Sequence, residues 1–184
     1  MNRNILDASV RYTNRGYSMV DVPWLIRPEI DDITRPKDAR PGEVTFRGES
    51  LRLPASGEQS FIQMMIDGKL EPGRYQCITP CWRDDETDEL HRDHFMKLEL
   101  FTFNTPQRPA DSVDVDHMIH SAMQVFTQRL GRRPEMVNTK IGKDIVYAGV
   151  ELGSYGKRWF KEFKWVYGTG MAEPRFSVVQ NGVS

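Results

Sequence analysis

The chain has 184 residues, 39% of them apolar and 28% charged, with a formal net charge of −1. That length suits one domain, residues 1–184, with a core of its own, and is short for two. The near-neutral balance excludes a broad basic surface for gripping nucleic acid or an anionic membrane, and leaves only short basic runs at Arg129, Arg132 and Arg133 and at Lys157, Arg158, Lys161 and Lys164.

Cys77 and Cys81 stand four apart in a strand-like run. A disulfide or metal framework needs more ligands at tighter spacing, so two reduced, partly buried thiols are expected. No apolar run approaches the ~20 residues of a membrane span. The opening MNRNILDASV does not have the pattern of a signal peptide, so the expected location is cytoplasmic, without membrane contact.

In chain order, residues 5–15 have helical spacing (Ile5, Leu6, Val10, Tyr12) that Gly16 stops. YSMVDVPWLI is rich in β-formers and is broken by Pro23, which belongs at a strand end or edge. Residues 27–42, with their prolines and charges, read as a loop, and EVTFRGESLRL reads as a hairpin turning at Gly48. SGEQSFIQMMIDGKL fits a helix starting near Ser56 or Gly57 and burying Phe61, Ile62, Met64 and Met65. Residues 74–84 and 92–104 form two strands around an acidic turn. DSVDVDHMIHSAMQVFTQRLG is the clearest helix. Val115, Met118, Ile119, Ala122, Phe126 and Leu130 share a stripe, Asp111 or Ser112 caps it, and Gly131 ends it. Strand-like segments follow near 135–141, 145–152 and 159–167, then a glycine turn at Gly168–Gly170 and a short tail. Strands in adjacent runs, rather than alternating with helices, predict an α+β fold: an antiparallel β-sheet flanked by helices.

Side chains alternate along a strand, so His91, Phe95, Lys97, Glu99 and Phe101 share one face and Met96, Leu98 and Leu100 the other. The second set is a core face. The first mixes aromatic and charged groups, which suits a polar ligand lying against it. A flat ring can stack on Phe95 while Arg83 and His91 reach phosphate oxygens, for which the planar guanidinium fork is suited. On these residues alone, an exposed hairpin tip with weak ion pairs between Arg83 and Asp84, Asp85 and Glu86 remains the alternative.

Arg83-x-Asp85, an acidic loop, then His91, Phe95 and Glu99 at four-residue steps resembles the second signature motif of class II aminoacyl-tRNA synthetases. RGYSMVDVPWLI, closed by Pro23, resembles the first motif, and YGTGMAEPRFS, leading to Arg175, resembles the third. Between the first two, ASGEQ resembles the loop that receives the substrate's amino group; GVELGSYGKR resembles the strand whose acid, here Glu151, helps hold magnesium. The resemblance spans residues 11–176 and implies the class II synthetase-like catalytic fold binding ATP and Mg2+. It implies that Arg83 contacts the α-phosphate and the substrate carboxylate, with Asp85 beside it. Phe95 stacks on adenine, and Arg175 sandwiches the ring or reaches the γ-phosphate from the glycine-rich turn that includes Gly170. His91 sits near the β- and γ-phosphates, the loop between Arg83 and His91 closes over the nucleotide, and Glu151 with Glu99 places the metal. Glu58 and Ser56 receive the amino acid, whose pocket takes in Gln59, Gln76, Lys97 and Ser154, with Tyr155 and Trp165 as further wall candidates. The first motif implies a homodimer with Pro23 at its interface.

The implied chemistry is attack of a carboxylate on the α-phosphorus, in which Arg83, Arg175 and Glu151 take the catalytic roles and no covalent nucleophile is needed. No segment reads as an anticodon-binding domain, and about seventy residues separate the second motif from the third. The expectation is therefore an adenylate-forming ligase that activates an amino acid and passes it to a carrier protein, a protein lysine or a small amine. The alternatives are a mini-synthetase charging a tRNA acceptor stem, and an inactive homodimeric binding or regulatory module. His117 and His120 share a helix face but lack a third ligand at metal-binding spacing, so both are expected at the solvent. Tyr155, Trp159 and Trp165 are expected in the core or a pocket wall.

Overall fold

The computed structural model describes residues 3–84, 86–105 and 107–182. Helix α1 (Arg3–Thr13) forms where its spacing predicts and buries Ile5, Ala8 and Tyr12, but Leu6 and Val10, expected on the same stripe, are exposed. The β-rich segment after it contributes only a two-residue strand, β1 (Ser18–Met19), because Pro23 has no N–H to continue a ladder. The proline-rich stretch is not all loop. It contains α2 (Pro28–Asp31), which starts on a proline whose fixed φ suits a first helical position. The buried Asp31 carboxylate then ties this turn down through Arg35 Nε (2.6 Å) and Gln59 Nε2 (2.7 Å). A separate hairpin follows, β2 (Gly42–Phe46) with β3 (Glu49–Leu53), turning through Arg47 and Gly48. Both turn residues have positive φ, as a two-residue hairpin turn requires.

Helix α3 (Gly57–Ile66) leads to the long strands β4 (Gly73–Trp82) and β5 (His94–Phe103). Helix α4 (Ser112–Leu130) starts on a capping box made by Asp111 and Asp114 and ends on Gly131 in the left-handed conformation. The chain then runs through β6 (Glu135–Asn138), β7 (Lys143–Tyr147), β8 (Val150–Phe160) and β9 (Phe163–Ala172). The segment read as one strand over 145–152 is therefore two, divided at Ala148–Gly149, and Trp159 lies before another turn with 71% of its surface exposed, neither core nor pocket wall. A closing helix, α5 (Arg175–Asn181), occupies what read as a short tail.

The sheet has seven strands in the order β1-β4-β5-β9-β8-β7-β6, antiparallel except for the β1–β4 pair. Helices α1, α4 and α5 cover one face, where Leu98, Leu100, Tyr155, Val166 and Met171 meet Met118, Ala122, Phe126 and Phe176. Helix α3, with α2 packed against it, covers part of the other, over Cys77, Phe101, Phe103, Trp165 and Tyr167. Phe101 stacks between Phe61 (4.9 Å) and Trp165 (6.4 Å) there. Both cysteines are free and fully buried rather than partly so, and burial pushes the Cys81 thiol up to about 12. Among the described residues no helix is long and apolar enough to cross a membrane.

Two irregularities shape the sheet. Leu98 pairs with Met171 and Glu99 with Thr169, which leaves Gly170 as an extra residue in β9. Ile145 pairs with Gly153 and Val146 with Glu151, which leaves Leu152 extra in β8. Each β-bulge reverses the alternation of its strand. The expected glycine turn is therefore absent. Gly168 and Gly170 lie inside β9, where a Cβ would meet Tyr155 Cδ1 at 2.3 Å or Leu98 Cγ at 2.8 Å.

Candidate functional site

Beyond the start of α3, the α2–α3 face of the sheet is open and forms a cleft of about 390 Å3. The start of α3, the loop after β4, and strands β5, β8 and β9 wall it. The start of α3 lies unusually close to the sheet. A Cβ on Gly57 would fall 2.8 Å from Cys77 Sγ and 2.9 Å from Glu99 Cβ.

At one end, Arg83 and Phe95 come together, the guanidinium 5.4 Å from the ring centroid. Arg83 Nε donates to the Ala55 carbonyl (3.0 Å), which fixes the fork at the mouth of the cleft. Arg175, at the start of α5, lines the same cleft and donates to the Glu151 carboxylate (3.1 Å) and carbonyl (3.2 Å). His91 lines the same cleft from a turn in which Asp88 Oδ1 accepts from the backbone N–H groups of Leu90 and His91, both at 2.7 Å. The His91 ring also pairs with Asp88 (3.0 Å), and this contact holds the Asp88 carboxyl below its usual range. Asp85 lies outside the described residues.

Deeper in, Ser56, Glu58, Gln59, Lys97 and Ser154 all line the cleft. Lys97 Nζ bridges Glu99 Oε2 (2.8 Å) and Ser56 Oγ (3.2 Å), and Ser56 donates in turn to Glu99. Glu58, 3% exposed, accepts from Trp165 Nε1 (2.7 Å) and from Arg158 Nη1. Burial raises the Glu58 carboxyl above its usual range, and the Arg158 charge only partly opposes that. Gln59 is committed to the fold, accepting from the Ala55 N–H (2.6 Å) while donating to Asp31.

Several expectations are not met. Gln76 is on the opposite face, where its amide donates to the Ser9 and Tyr17 carbonyls and to Thr13 Oγ1. It cannot line the amino-acid pocket. Tyr155 packs on that same far side, with its hydroxyl on the Thr169 carbonyl (2.6 Å). Gly170 is absent from the lining, and its carbonyl accepts from Tyr12 instead. Glu99, 1% exposed, points its carboxylate at Lys97 and Ser56 rather than into the cleft. Glu151 does line the cleft, with 46% of its side chain exposed. The Leu152 bulge turns Glu151 to the cleft while Leu152 enters the core. Pro23 lies past the end of β1, as expected; it is half-buried, and its carbonyl accepts from Ser60 Oγ (2.8 Å). His117 is half-buried beside Tyr17, while His120 holds Gln124 at the surface.

Sequence reasoning missed Arg158, which lines the cleft and lies 4.2 Å from the Tyr167 ring centroid. The signal was present: Arg158 is four residues beyond Ser154 on one strand, and so on the same face.

A mostly antiparallel sheet with this strand order, helices on both faces and a nucleotide-sized cleft beside β5 and β9 defines the class II aminoacyl-tRNA synthetase catalytic fold, as the motifs led one to expect. Solved structures make the likeness particular. The cytoplasmic serine-tRNA ligase of Naegleria fowleri in complex with AMP matches with a TM-score of 0.76 and 18% identity, over 96% of this chain and 48% of that one. The seryl-tRNA synthetase of Pyrococcus horikoshii complexed with ATP matches with a TM-score of 0.72 and 19% identity, over 97% and 51%. The pyrrolysyl-tRNA synthetase PylSc of Desulfitobacterium hafniense matches with a TM-score of 0.70 and 17% identity, over 97% and 68%. The chain thus spans about half the length of the two seryl enzymes. No protein-family model matches it, and no curated protein matches it in sequence.

Proposed function

We propose that the cleft binds ATP and a carboxylic acid and joins them as an acyl-adenylate. The observation that carries this reading is the grouping of Arg83 over Phe95 with Arg175 on the lining of one cleft, in a fold whose solved neighbours include an AMP and an ATP complex. An aromatic ring with a guanidinium on its face is a platform for a purine. The further cationic fork of Arg175, with His91 beside the cleft, suits a chain of phosphates.

In the reaction, an oxygen of the acid attacks the α-phosphorus, and the bond to the pyrophosphate oxygen breaks in line with it. Both reactants are anions, so alignment and positive charge carry the rate. Arg83 holds the acid's carboxylate against the α-phosphate, and Arg175 and His91 hold the departing pyrophosphate. Glu151 is the carboxylate whose exposure and position fit a Mg2+ ligand, since such ions commonly take one or two carboxylates with substrate phosphates. Glu99 does not fit, because the Lys97 ammonium already occupies it. Mg2+, when bound, neutralises phosphate charge. Among the described residues no group of three or more His, Cys, Asp or Glu side chains could hold a metal on its own.

The acyl group would pass to a carrier protein, a protein lysine or a small amine, a reading supported by the absence of a broad basic surface in a chain of net charge −1. A homodimer through the segment around Pro23 belongs to the same proposal, since Met19 (44%) and Trp24 (60%) are exposed there. The test is acid-dependent ATP–pyrophosphate exchange with Mg2+ across the amino acids and simple carboxylic acids. Exchange that falls by about 100-fold or more in Arg83→Ala sustains the proposal. Absence of both exchange and ATP binding overturns it and leaves a binding or regulatory module.

A further inference from the structure

The floor of the cleft, beyond Ser56, holds two ion pairs, Arg158 with Glu58 and Lys97 with Glu99. Their hydrogen-bonding capacity is used unevenly. Each oxygen of Glu58 already has a donor, from Arg158 and from Trp165 Nε1 at 2.7 Å. Glu99 turns Oε2 to Ser56 and Lys97, its Oε1 is buried without a partner among the described residues, and the residue does not line the cleft. Arg158, by contrast, gives a single nitrogen to Glu58 and lies flat against Tyr167, with 33% of its side chain exposed. No other acceptor reaches its guanidinium among the described residues, although a guanidinium has five N–H donors. Lys97 likewise has two partners for three donors.

A floor whose one cleft-lining carboxylate, Glu58, is fully engaged and whose cationic donors are free is matched by an acceptor. An apolar or cationic group closed over it would strip water from these N–H groups and give nothing back. A carboxylate answers both the charge and the planar fork. We infer that Arg158 is a specificity-determining residue and that the acid taken by this cleft is a dicarboxylic acid, one carboxylate reacting near Arg83 and the second received by Arg158. This rests on the adenylation reading. It also reassigns Glu58: the residue expected to receive a substrate ammonium instead anchors the arginine that selects the substrate.

The experiment is pyrophosphate exchange by the full chain with ATP and Mg2+, using aspartate, glutamate, succinate, glutarate, their monoamides, and serine, leucine, phenylalanine and lysine. A dicarboxylate is expected to give the highest kcat/KM. Arg158→Lys keeps a cation beside Glu58 but loses the fork, and should lower that kcat/KM by about 100-fold or more with the KM for ATP unchanged. The double variant Glu58→Gln with Arg158→Gln, which leaves no buried charge unpaired, should do the same if the effect is recognition rather than misfolding. Highest activity with any other acid overturns the inference and leaves adenylation standing. If no acid supports exchange, calorimetric titration of the same acids judges the inference alone, and ATP binding judges the adenylation reading. Dicarboxylate binding weakened at least tenfold by Arg158→Lys sustains it, and absence of dicarboxylate binding overturns it.

Discussion

Replacing Gly57 by alanine tests how the site is held. The new Cβ would stand 2.8 Å from Cys77 Sγ, 2.9 Å from Glu99 Cβ and 3.0 Å from Thr79 Cγ2. These neighbours are short side chains fixed to central strands, so none can swing away. Restoring ordinary contact near 3.5 Å requires the start of α3 to lift by about 0.7 Å. Overpacking of this kind costs about 1–3 kcal/mol, and for a chain of this size lowers Tm by roughly 2–12 °C. The larger effect falls on the site, because the same lift draws Ser56 from Glu99 and Lys97 and shifts Ala55, whose carbonyl holds Arg83. A misplacement near 1 Å is worth about 100-fold in rate. Thermal unfolding and pyrophosphate exchange on Gly57→Ala should therefore show a modest loss of Tm and a disproportionate loss of exchange. Adding Cys77→Ala removes only the nearest of the three contacts and should restore part of the Tm. A Gly57→Ala protein with unchanged Tm and exchange would refute this account of how the helix is seated.

Two further outcomes follow from geometry. Asp111→Ala removes the carboxylate that accepts from Val113 and Asp114 N–H at the head of α4, and should cost about 1 kcal/mol by urea unfolding. Glu58 has a folded-state pKa above the 4.5 of its free form, so the native state holds its proton more tightly than the unfolded chain does. Its contribution is full below pH 4.5 and is lost as pH rises through the raised folded value. The unfolding free energy measured from pH 4 to 7 should fall more steeply with pH in the wild type than in Glu58→Gln, and parallel curves would contradict this.

The elements most legible in the sequence were those whose pattern is local and self-checking. Helix α4 carried its stripe, its Asp111 cap and its Gly131 stop in one stretch, and each is found as read. Strand β5 showed Lys97 and Glu99 on one face and Leu98 and Leu100 on the other, and they are so divided. Gln76 was misplaced although parity on β4 was available: it is seven residues from Arg83, an odd number, and therefore on the other face. Glu151 and Ser154 are three apart and would lie on opposite faces of a regular strand, but the bulge at Leu152 brings both to the cleft. Composition gives no sign of that bulge, because it arises from pairing with β7. The partners of Glu58 were equally hidden, since Arg158 and Trp165 lie 100 and 107 residues away in the chain.

Those bulges give part of the cleft wall the character of a reading frame. The side a strand residue faces is a matter of odd or even position, and an extra residue changes the parity of everything beyond it. Past Gly170, Met171 falls to the core and Ala172 to the cleft; past Leu152, toward the start of β8, Glu151 falls to the cleft. Removing Gly170 would exchange the two, setting a methionine in the cleft and an alanine in the core, with every other residue unchanged in kind. A single-residue deletion in β8 or β9 is therefore the most economical way to rebuild this wall, and a sequence that differs here only in length carries a different site.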